Sequence, residues 1–280
     1  MLDNPTYGTD FVLDAIAKSA PNEQEFRKHI GASVIGRECD RQLWYSFRWV
    51  QLPAVTSRIG RLFKRGHREE DVMLDTLEAA GFTLWRHAQN NPNEQIRAKG
   101  MPPHTGGSLD AVMALPYELA QLYGNHVPVE CKTHAAKYFN QLVKHGVVAK
   151  HYTHWAQGNI YATSFGMTHF LYMAECKDDD RLYFEFCKAE PAIAAIHKEK
   201  ARRISMSNVA HAVDKAPSFR CRMCEYQEIC KEGKPASAIN CRSCGYSTAE
   251  ADGTFKCHVK QLTIDDDLMR TGCNNWRSII

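Results

Sequence analysis

The 280-residue sequence lacks any apolar run long enough to cross a membrane, any internal repeat and any low-complexity segment. The first absence excludes a helical membrane protein. The N-terminus has no basic segment before an apolar core, so no secretory signal is expected, and we predict a cytoplasmic protein. The net charge of +3 is too small to establish a polyanionic partner, although basic clusters occur between residues 197 and 224.

What the sequence does contain is cysteine. Of its eleven cysteines, eight lie between Cys187 and Cys273, and the total is odd. In a reducing compartment this pattern favours metal ligation over disulfides. The apolar content of 44% and charged content of 24% are those of a globular protein, and the length suits one large domain or one domain with an appendage.

Hydrophobic periodicity predicts helices, then a mixed sheet with a crossover helix, then a hairpin and a last helix. The predicted helices are residues 10–30, "RECDRQLWYSFRWV", "IGRLFKRGHREEDVMLDTLEAAG", "HYTHWAQGNIYATSFG" and the stretch from Pro191 to about His211. The predicted strands are "FTLWRHA", "GGSLDAVMAL", "VPVECKT", "THFLYMAEC" and "RLYFEFCKA". After Phe219 aliphatic residues become scarce, which predicts a small module stapled by metal.

One strand end carries candidate chemistry. Glu130 and Lys132 are two residues apart, so they share a strand face, and Asp110 lies at the preceding strand. Two carboxylates suit a hard cation such as Mg²⁺ or Mn²⁺, and the backbone carbonyl of Cys131 can add a third oxygen. Lys132 is placed to orient a water or to offset transition-state charge.

Other interpretations of these residues remain open at this stage. Glu-x-Lys occurs three times in the chain, and Glu130 with Lys132 is also consistent with an ion pair at a strand end beside an unrelated Asp. Cys131 as a nucleophile with His134 is a third interpretation. A cysteine inside an apolar strand is more often a buried small residue.

The order of four motifs resembles the RecB-like branch of the PD-(D/E)XK nuclease superfamily. These are His67 in "RGHREED", Asp110, the Glu130–Lys132 pair, and Gln157 with Tyr161 in "QGNIY". The resemblance spans about residues 33–230. It implies that His67 is a further metal ligand and that Gln157 and Tyr161 lie on a helix lining the DNA side of the catalytic pocket. Leu109 stands where the family usually has Pro.

The spacing C-x2-C-x5-C of Cys221, Cys224 and Cys230 resembles that of a subset of these nucleases, including the AddB type and the CRISPR-adaptation nucleases. In that subset a distant upstream cysteine completes a four-iron, four-sulfur cluster. Cys39 in "SVIGRECDRQLW" stands in a similar context. The resemblance implies a cluster that ties the N-terminal helices to the end of the nuclease core.

The tail has a second set of cysteines. "CRSCGY" is a knuckle typical of zinc ribbons, so Cys241, Cys244, Cys257 and Cys273 predict a four-thiolate zinc site, with His258 as a substitute ligand. A rival partition joins Cys221-x2-Cys224 to Cys241-x2-Cys244 in one ribbon. The remaining cysteines, Cys131, Cys176 and Cys187, are assigned to the core. The tail also resembles those of phage-encoded nucleases.

We therefore predict an α/β chain with a restriction-endonuclease-like core, in which a mixed central sheet is flanked by helices, and a small cysteine-rich C-terminal metal module. The predicted divisions are residues 1–60, 61–230 and 231–280. The predicted activity is metal-dependent DNA hydrolysis, more as an exonuclease than an endonuclease, with DNA as the partner. Alternatives are an inactive DNA-binding protein with metal centres and a redox protein built on the cluster.

Overall fold

The computed structural model describes residues 7–18, 26–52, 56–211 and 219–280. The helices are α1 (Tyr7–Lys18), α2 (Ala32–Ile35), α3 (Asp40–Phe47), α4 (Ser57–Ala79), α5 (Tyr117–Tyr123), α6 (Ala136–Lys150), α7 (Tyr152–Ser164), α8 (Pro191–Ser205), α9 (Phe219–Arg222), α10 (Gln227–Glu232) and α11 (Asp266–Arg270). The strands are β1 (Ile30–Gly31), β2 (Leu84–Trp85), β3 (His87–Ala88), β4 (Asn91–Gln95), β5 (Thr105–Gly106), β6 (Ala111–Ala114), β7 (His126–His134), β8 (His169–Cys176), β9 (Leu182–Lys188), β10 (Ser247–Ala249), β11 (Phe255–Cys257) and β12 (Leu262–Ile264). No helix in these ranges is both long enough and apolar enough to span a bilayer.

Five strands form the central sheet in the order β2-β6-β7-β8-β9. β7 and β8 run parallel, joined by the crossover through α6 and α7, while the other neighbouring strands run antiparallel. α4 packs on one face of this sheet, and α6 and α7 pack on the other. The structure thus confirms the predicted mixed α/β architecture with helices on the sheet faces.

Alternation along β7 divides its side chains between these two layers. Val127 and Val129 are fully buried against Met73 and Leu74 of α4. Burial of each such aliphatic side chain contributes about 1.5–3 kcal/mol, so the apolar residues fix which face of the strand points to α4. Glu130, Lys132 and His134 consequently project towards the α7 side.

Glycine allows α7 to approach the sheet closely. A Cβ on Gly158 would lie 2.3 Å from the Phe170 ring of β8, well inside contact distance. A larger residue at this position would push the helix, and the side chains it carries, away from β7.

Three predicted elements differ from those observed. Within residues 10–30, the structure describes α1 up to Lys18, residues 19–25 lie outside the described ranges, and Ile30 begins strand β1, which pairs in parallel with β5. "FTLWRHA" is two short strands rather than one, since Arg86 interrupts them to pair with acidic residues of α4. The helix from Pro191 ends at Ser205, before His211.

The cysteine-rich tail packs against the N-terminal helices. Its three-stranded sheet β10-β11-β12 contributes Phe255, whose ring centroid lies 5.7 Å from that of Phe47. The buried guanidinium of Arg48 donates to the backbone oxygens of Cys244 and Ser247, at 3.1 and 2.9 Å. Burial lowers the pKa of Arg48 to about 9. The tail therefore shares one hydrophobic cluster with residues 30–50.

Candidate active site

The antiparallel register of β6 and β7 brings the two predicted catalytic carboxylates together. Ala111 pairs with Val129, so Asp110, just before β6, stands opposite Glu130. The Asp110 Oδ2 atom accepts a hydrogen bond of 2.8 Å from the backbone N–H of Cys131. This bond fixes the carboxylate at the end of the strand pair.

Glu130 and Lys132 form an ion pair on the same strand face. The Lys132 ammonium also donates to the Cys131 carbonyl, at 2.9 Å. Glu130 is only 1% exposed, and its Oε2 atom is buried with no hydrogen-bond partner in the described part of the chain. A buried carboxylate oxygen of this kind is costly unless something binds it, and a cation is the natural partner.

The electrostatics of this pair reflect crowding of carboxylates in a dry site. Burial raises the pKa of Glu130 to about 8; Lys132 opposes that rise, and the nearby Asp110 reinforces it. The pKa of Asp110 is also raised by burial. Burial acts to lower the pKa of Lys132, but the adjoining Glu130 and Asp110 outweigh it and hold the value above its usual range. The lysine is therefore charged while the carboxyl groups compete for a cation or a proton.

Helix α4 contributes two further groups, one of which sequence reasoning missed. His67 is exposed, and its charge opposes the rise that burial causes in the pKa of Asp110, as expected of a nearby group. Glu70 lies one helical turn later. Its pKa is raised to about 7 by burial and by the charge of Asp110, with Lys132 opposing. Glu70 is three residues after His67, a spacing that places both on one helix face. The neighbouring acidic residues Glu69 and Asp71 made Glu70 hard to single out from the sequence alone.

Gln157 and Tyr161 occupy one face of α7 and are both buried. The Gln157 side-chain amide donates to the Tyr161 hydroxyl at 3.1 Å, while the Gln157 Oε1 atom is buried with no partner in the described ranges. The pKa of Tyr161 is raised by burial and then by the charge of Glu130, which places the phenol near the carboxylates. A Cβ on Gly107 would lie 2.8 Å from the Tyr161 ring, so glycine makes room for it.

The environment of Cys131 argues against its use as a nucleophile. Its side chain is 4% exposed and packs on the α4 side of the sheet, opposite His134. Burial and the neighbouring Asp110 raise the pKa of its thiol far above the usual value, so the thiolate is disfavoured. Cys176 and Cys187 are likewise buried in the sheet.

Four cysteines assigned to an iron–sulfur cluster line one cavity of about 250 Å³. These are Cys39, Cys221, Cys224 and Cys230. Cys39 begins α3, where its Sγ accepts from the backbone N–H of Gln42 at 3.4 Å. The Arg41 guanidinium donates to the Cys230 Sγ at 3.7 Å. Both contacts place a hydrogen-bond donor at a cysteine sulfur atom.

The tail cysteines lie near Cys241, but among the described residues no three of their sulfur atoms lie within 4.8 Å of one another. Burial is the main cause that raises the pKa of Cys241 to about 11, and the thiols of Cys244, Cys273 and Cys257 add to the rise. The Cys244 N–H donates to the Cys241 carbonyl at 3.3 Å, which closes the knuckle turn. Cys221 and Cys224 line the cavity described above together with Cys39 and Cys230. The His258 Nε2 atom contacts Thr248 Oγ1 at 2.8 Å.

A groove of about 780 Å³ lies beside strand β6. Its lining includes Trp85, Arg97, Lys99, Val112 and Phe165. In the sequence, Val112 is two residues after Asp110, and Phe165 is four residues after Tyr161. The Lys99 ammonium lies 5.2 Å from the centre of the Phe165 ring. Exposed aromatic faces beside cations suit stacked nucleobases and phosphates.

Comparisons with known proteins gave matches only among solved structures. No family model matches the chain, and no curated protein matches it. The structure of SSO0001 matches at 17% identity and a TM-score of 0.39, covering 80% of this chain and 96% of that chain. LHK-Exo, an alkaline exonuclease from Laribacter hongkongensis, matches at 11% identity and a TM-score of 0.43, covering 63% and 86%. Its complex with dAMP gives a TM-score of 0.44 at the same identity and coverage.

Proposed function

We propose that this chain is a metal-dependent deoxyribonuclease with a restriction-endonuclease-like core, and that it acts as an exonuclease. The observation that carries the proposal is the convergence of Asp110, Glu130 and Lys132, with a buried Glu130 oxygen that has no partner in the described ranges. His67 and Glu70 border the same point from α4. Carboxylates crowded this closely suit a hard divalent cation.

Different residues would have different roles in phosphodiester hydrolysis. Asp110 and Glu130, with the Cys131 carbonyl and His67, would hold Mg²⁺ or Mn²⁺. When bound, the ion lowers the pKa of an attacking water and polarises a phosphate oxygen. Lys132, held by Glu130, positions the water and offsets negative charge that develops on the phosphate.

The DNA path would follow the α7 layer. The Gln157 Oε1 atom has no hydrogen-bond partner in the described ranges. The Gln157 amide group donates a hydrogen bond to the hydroxyl of Tyr161, which lies near the carboxylates. Trp85 and Phe165 offer rings for bases of an unpaired strand, while Arg97 and Lys99 contact phosphates. Bases can stack on these rings only when they are unpaired, as at the frayed end of a duplex, and for this reason we propose exonuclease action.

The cysteines complete the proposal as supports of the fold. A four-iron, four-sulfur cluster on Cys39, Cys221, Cys224 and Cys230 would tie α3 to the segment after α8. A zinc ion on Cys241, Cys244, Cys257 and Cys273 would hold the tail. Soft thiolates suit these metals, as carboxylates suit magnesium.

Incubation with end-labelled linear and closed circular DNA tests the activity. Anaerobically purified protein should degrade linear DNA with Mn²⁺ or Mg²⁺ and not with chelator, and it should spare closed circles. Cleavage of circles would make it an endonuclease. DNA binding that is independent of added metal, without cleavage of either substrate, would favour a binding protein instead.

Binding of the catalytic cation should depend on pH. The carboxyl groups of Glu130 and Glu70, with pKa values of about 8 and 7, bind protons near neutrality in the metal-free protein. A protonated carboxyl is not a ligand, so Mg²⁺ affinity should rise with pH, roughly tenfold per unit for each proton displaced. The affinity for Mg²⁺ should level off above the pKa of Glu130, which is about 8.

Calorimetric Mg²⁺ titrations in two buffers of different protonation enthalpy measure the affinity for the cation and the number of protons released when it binds. Wild-type protein should release protons as the cation binds, and Glu130→Gln should release fewer. Equal affinity from about pH 6 to about pH 9, without proton release, would show that the cation does not bind at Glu130.

Two substitutions in the groove should separate base stacking from phosphate contact. Trp85→Ala removes a stacking ring and should weaken single-stranded DNA binding by about 1–3 kcal/mol with little change in salt dependence. Lys99→Ala should reduce the salt slope of binding by about one. Lys234→Ala, a surface change in the tail, serves as the control. If all three variants bind alike, the DNA takes another path.

A further inference from the structure

Three histidines converge beside the carboxylate site. Each of His134, His151 and His154 offers one ring nitrogen, and these atoms all lie within 4.8 Å of one another. His134 ends β7 on the face that carries Glu130 and Lys132, about 6.6 Å along the strand from Lys132. His151 lies at the junction of α6 and α7, and His154 lies in the first turn of α7. Among the described residues, this is the one group of ligand side chains so closely gathered.

One buried ring nitrogen of these histidines has no hydrogen-bond partner among the described residues. The Tyr172 hydroxyl lies 2.9 Å from both His134 Nε2 and His154 Nδ1. The three rings pack against one another in a triangle. The His151 centroid lies 4.2 Å from that of His134 and 5.1 Å from that of His154, and the His134 and His154 centroids lie 5.9 Å apart. The His151 Nε2 atom is buried and makes no hydrogen bond within the ranges that the structure describes. A cluster serving packing alone has no need of an imidazole whose nitrogen is buried and unsatisfied.

The cluster is also in the right charge state to bind a metal. Burial lowers the pKa of His134 to about 4 and that of His154 to about 2, and it lowers the pKa of His151 as well. All three rings are therefore neutral at physiological pH, with lone pairs free of protons on one nitrogen each.

We propose that His134, His151 and His154 form a second metal site, which takes a first-row transition-metal ion of the Zn²⁺ type. Imidazole nitrogens suit Zn²⁺, Ni²⁺ and Cu²⁺, whereas Mg²⁺ requires oxygen ligands. Three protein ligands leave a fourth position open, and the Tyr172 hydroxyl lies 2.9 Å from ring nitrogens of two of the histidines. A cavity of about 700 Å³ lined by His151, His154 and Lys150 gives the ion a way in.

An ion at this place would act on the helix that carries Gln157 and Tyr161. It would join the end of β7 to the start of α7, so the helix would be fixed relative to Glu130 and Lys132. The inference concerns binding and does not depend on the proposed nuclease activity.

Zinc stoichiometry tests the proposal. The full chain, purified anaerobically with its metals and then exposed to a weak chelator, is titrated with Zn²⁺ against a chromogenic indicator. His151→Ala is the first variant, since the Nε2 of His151 makes no hydrogen bond whose loss would harm the fold. His145→Ala, an exposed histidine on α6, is the matched control. Wild type and the control should bind one more equivalent of Zn²⁺ than His151→Ala.

His154→Ala should lose the same equivalent. A cobalt titration of the wild-type chain gives an independent readout, because Co²⁺ bound by imidazoles absorbs in the visible without the sulfur charge-transfer bands of the cysteine sites. Equal zinc stoichiometry in wild type and both histidine variants would overturn the proposal. So would Co²⁺ spectra that contain only sulfur-based bands, a result that remains decisive even if the variants fail to fold.

Discussion

Lys132→Ala is expected to lower the rate of DNA cleavage by about 10²–10³-fold at saturating Mn²⁺, with DNA binding nearly unchanged. The ammonium stands between Glu130 and the Cys131 carbonyl, where it faces the carboxylates rather than the open groove. Its interaction with the phosphate would strengthen only as negative charge develops in the transition state. A loss confined to the chemical step follows from that position.

Single-turnover cleavage of end-labelled DNA measures the effect, with binding followed by anisotropy. Saturating Mn²⁺ is needed because the charge of Lys132 affects how Glu130 binds both a proton and a cation, so its loss changes the apparent affinity for the metal. Lys234→Ala provides the control, since Glu232 and Lys234 repeat the Glu-x-Lys spacing on the surface. Full activity in Lys132→Ala would remove this strand from the mechanism.

Cys39→Ala is expected to abolish iron binding and to destabilise the whole chain. Cys39 is the one cavity cysteine that comes from the N-terminal half, and the other three lie more than 180 residues later. A metal that bridges so long a loop stabilises the fold strongly, because it restrains the unfolded chain and because metal-binding free energy becomes folding free energy. The variant should lose the visible absorption of an iron–sulfur centre and unfold at a markedly lower temperature.

Cys187→Ala is the matched control, because its thiol is buried in β9 with a pKa raised by burial, which disfavours metal ligation. It should keep its iron, although its stability falls modestly as a cavity opens. Iron content that is unchanged in Cys39→Ala would exclude this residue as a ligand and would reopen the ribbon that joins Cys221 and Cys224 to Cys241 and Cys244.

The two-residue periodicity of β-strands accounts for most of what could be predicted from the sequence. β7 alternates apolar and polar residues, so the shared face of Glu130 and Lys132 followed from spacing alone, and the register with β6 then set Asp110 opposite. Helix boundaries were less secure, as the stretch 10–30 shows, because periodicity alone does not mark where Ile30 leaves a helix for a strand.

The residues that sequence reasoning missed depend on contacts between distant elements. Glu70 is one of three consecutive acidic residues in "EED", and only packing of α4 on the sheet distinguishes the one that approaches Asp110. His134 stands seventeen residues before His151 and on a different element, so no local spacing joins them. A pair of candidate metal ligands is visible in sequence when both share a turn, as Cys241 and Cys244 do.

The most direct test of the central claim is the cleavage of end-labelled linear DNA by Asp110→Asn beside the wild type, in Mn²⁺ and in chelator. Asparagine keeps an oxygen for the Cys131 N–H bond but removes the charge that holds the cation. Wild type and the exposed control Asp267→Asn should degrade the DNA only with metal, and Asp110→Asn should leave it intact. Metal-dependent cleavage by Asp110→Asn at the wild-type rate would contradict the assignment of the active site.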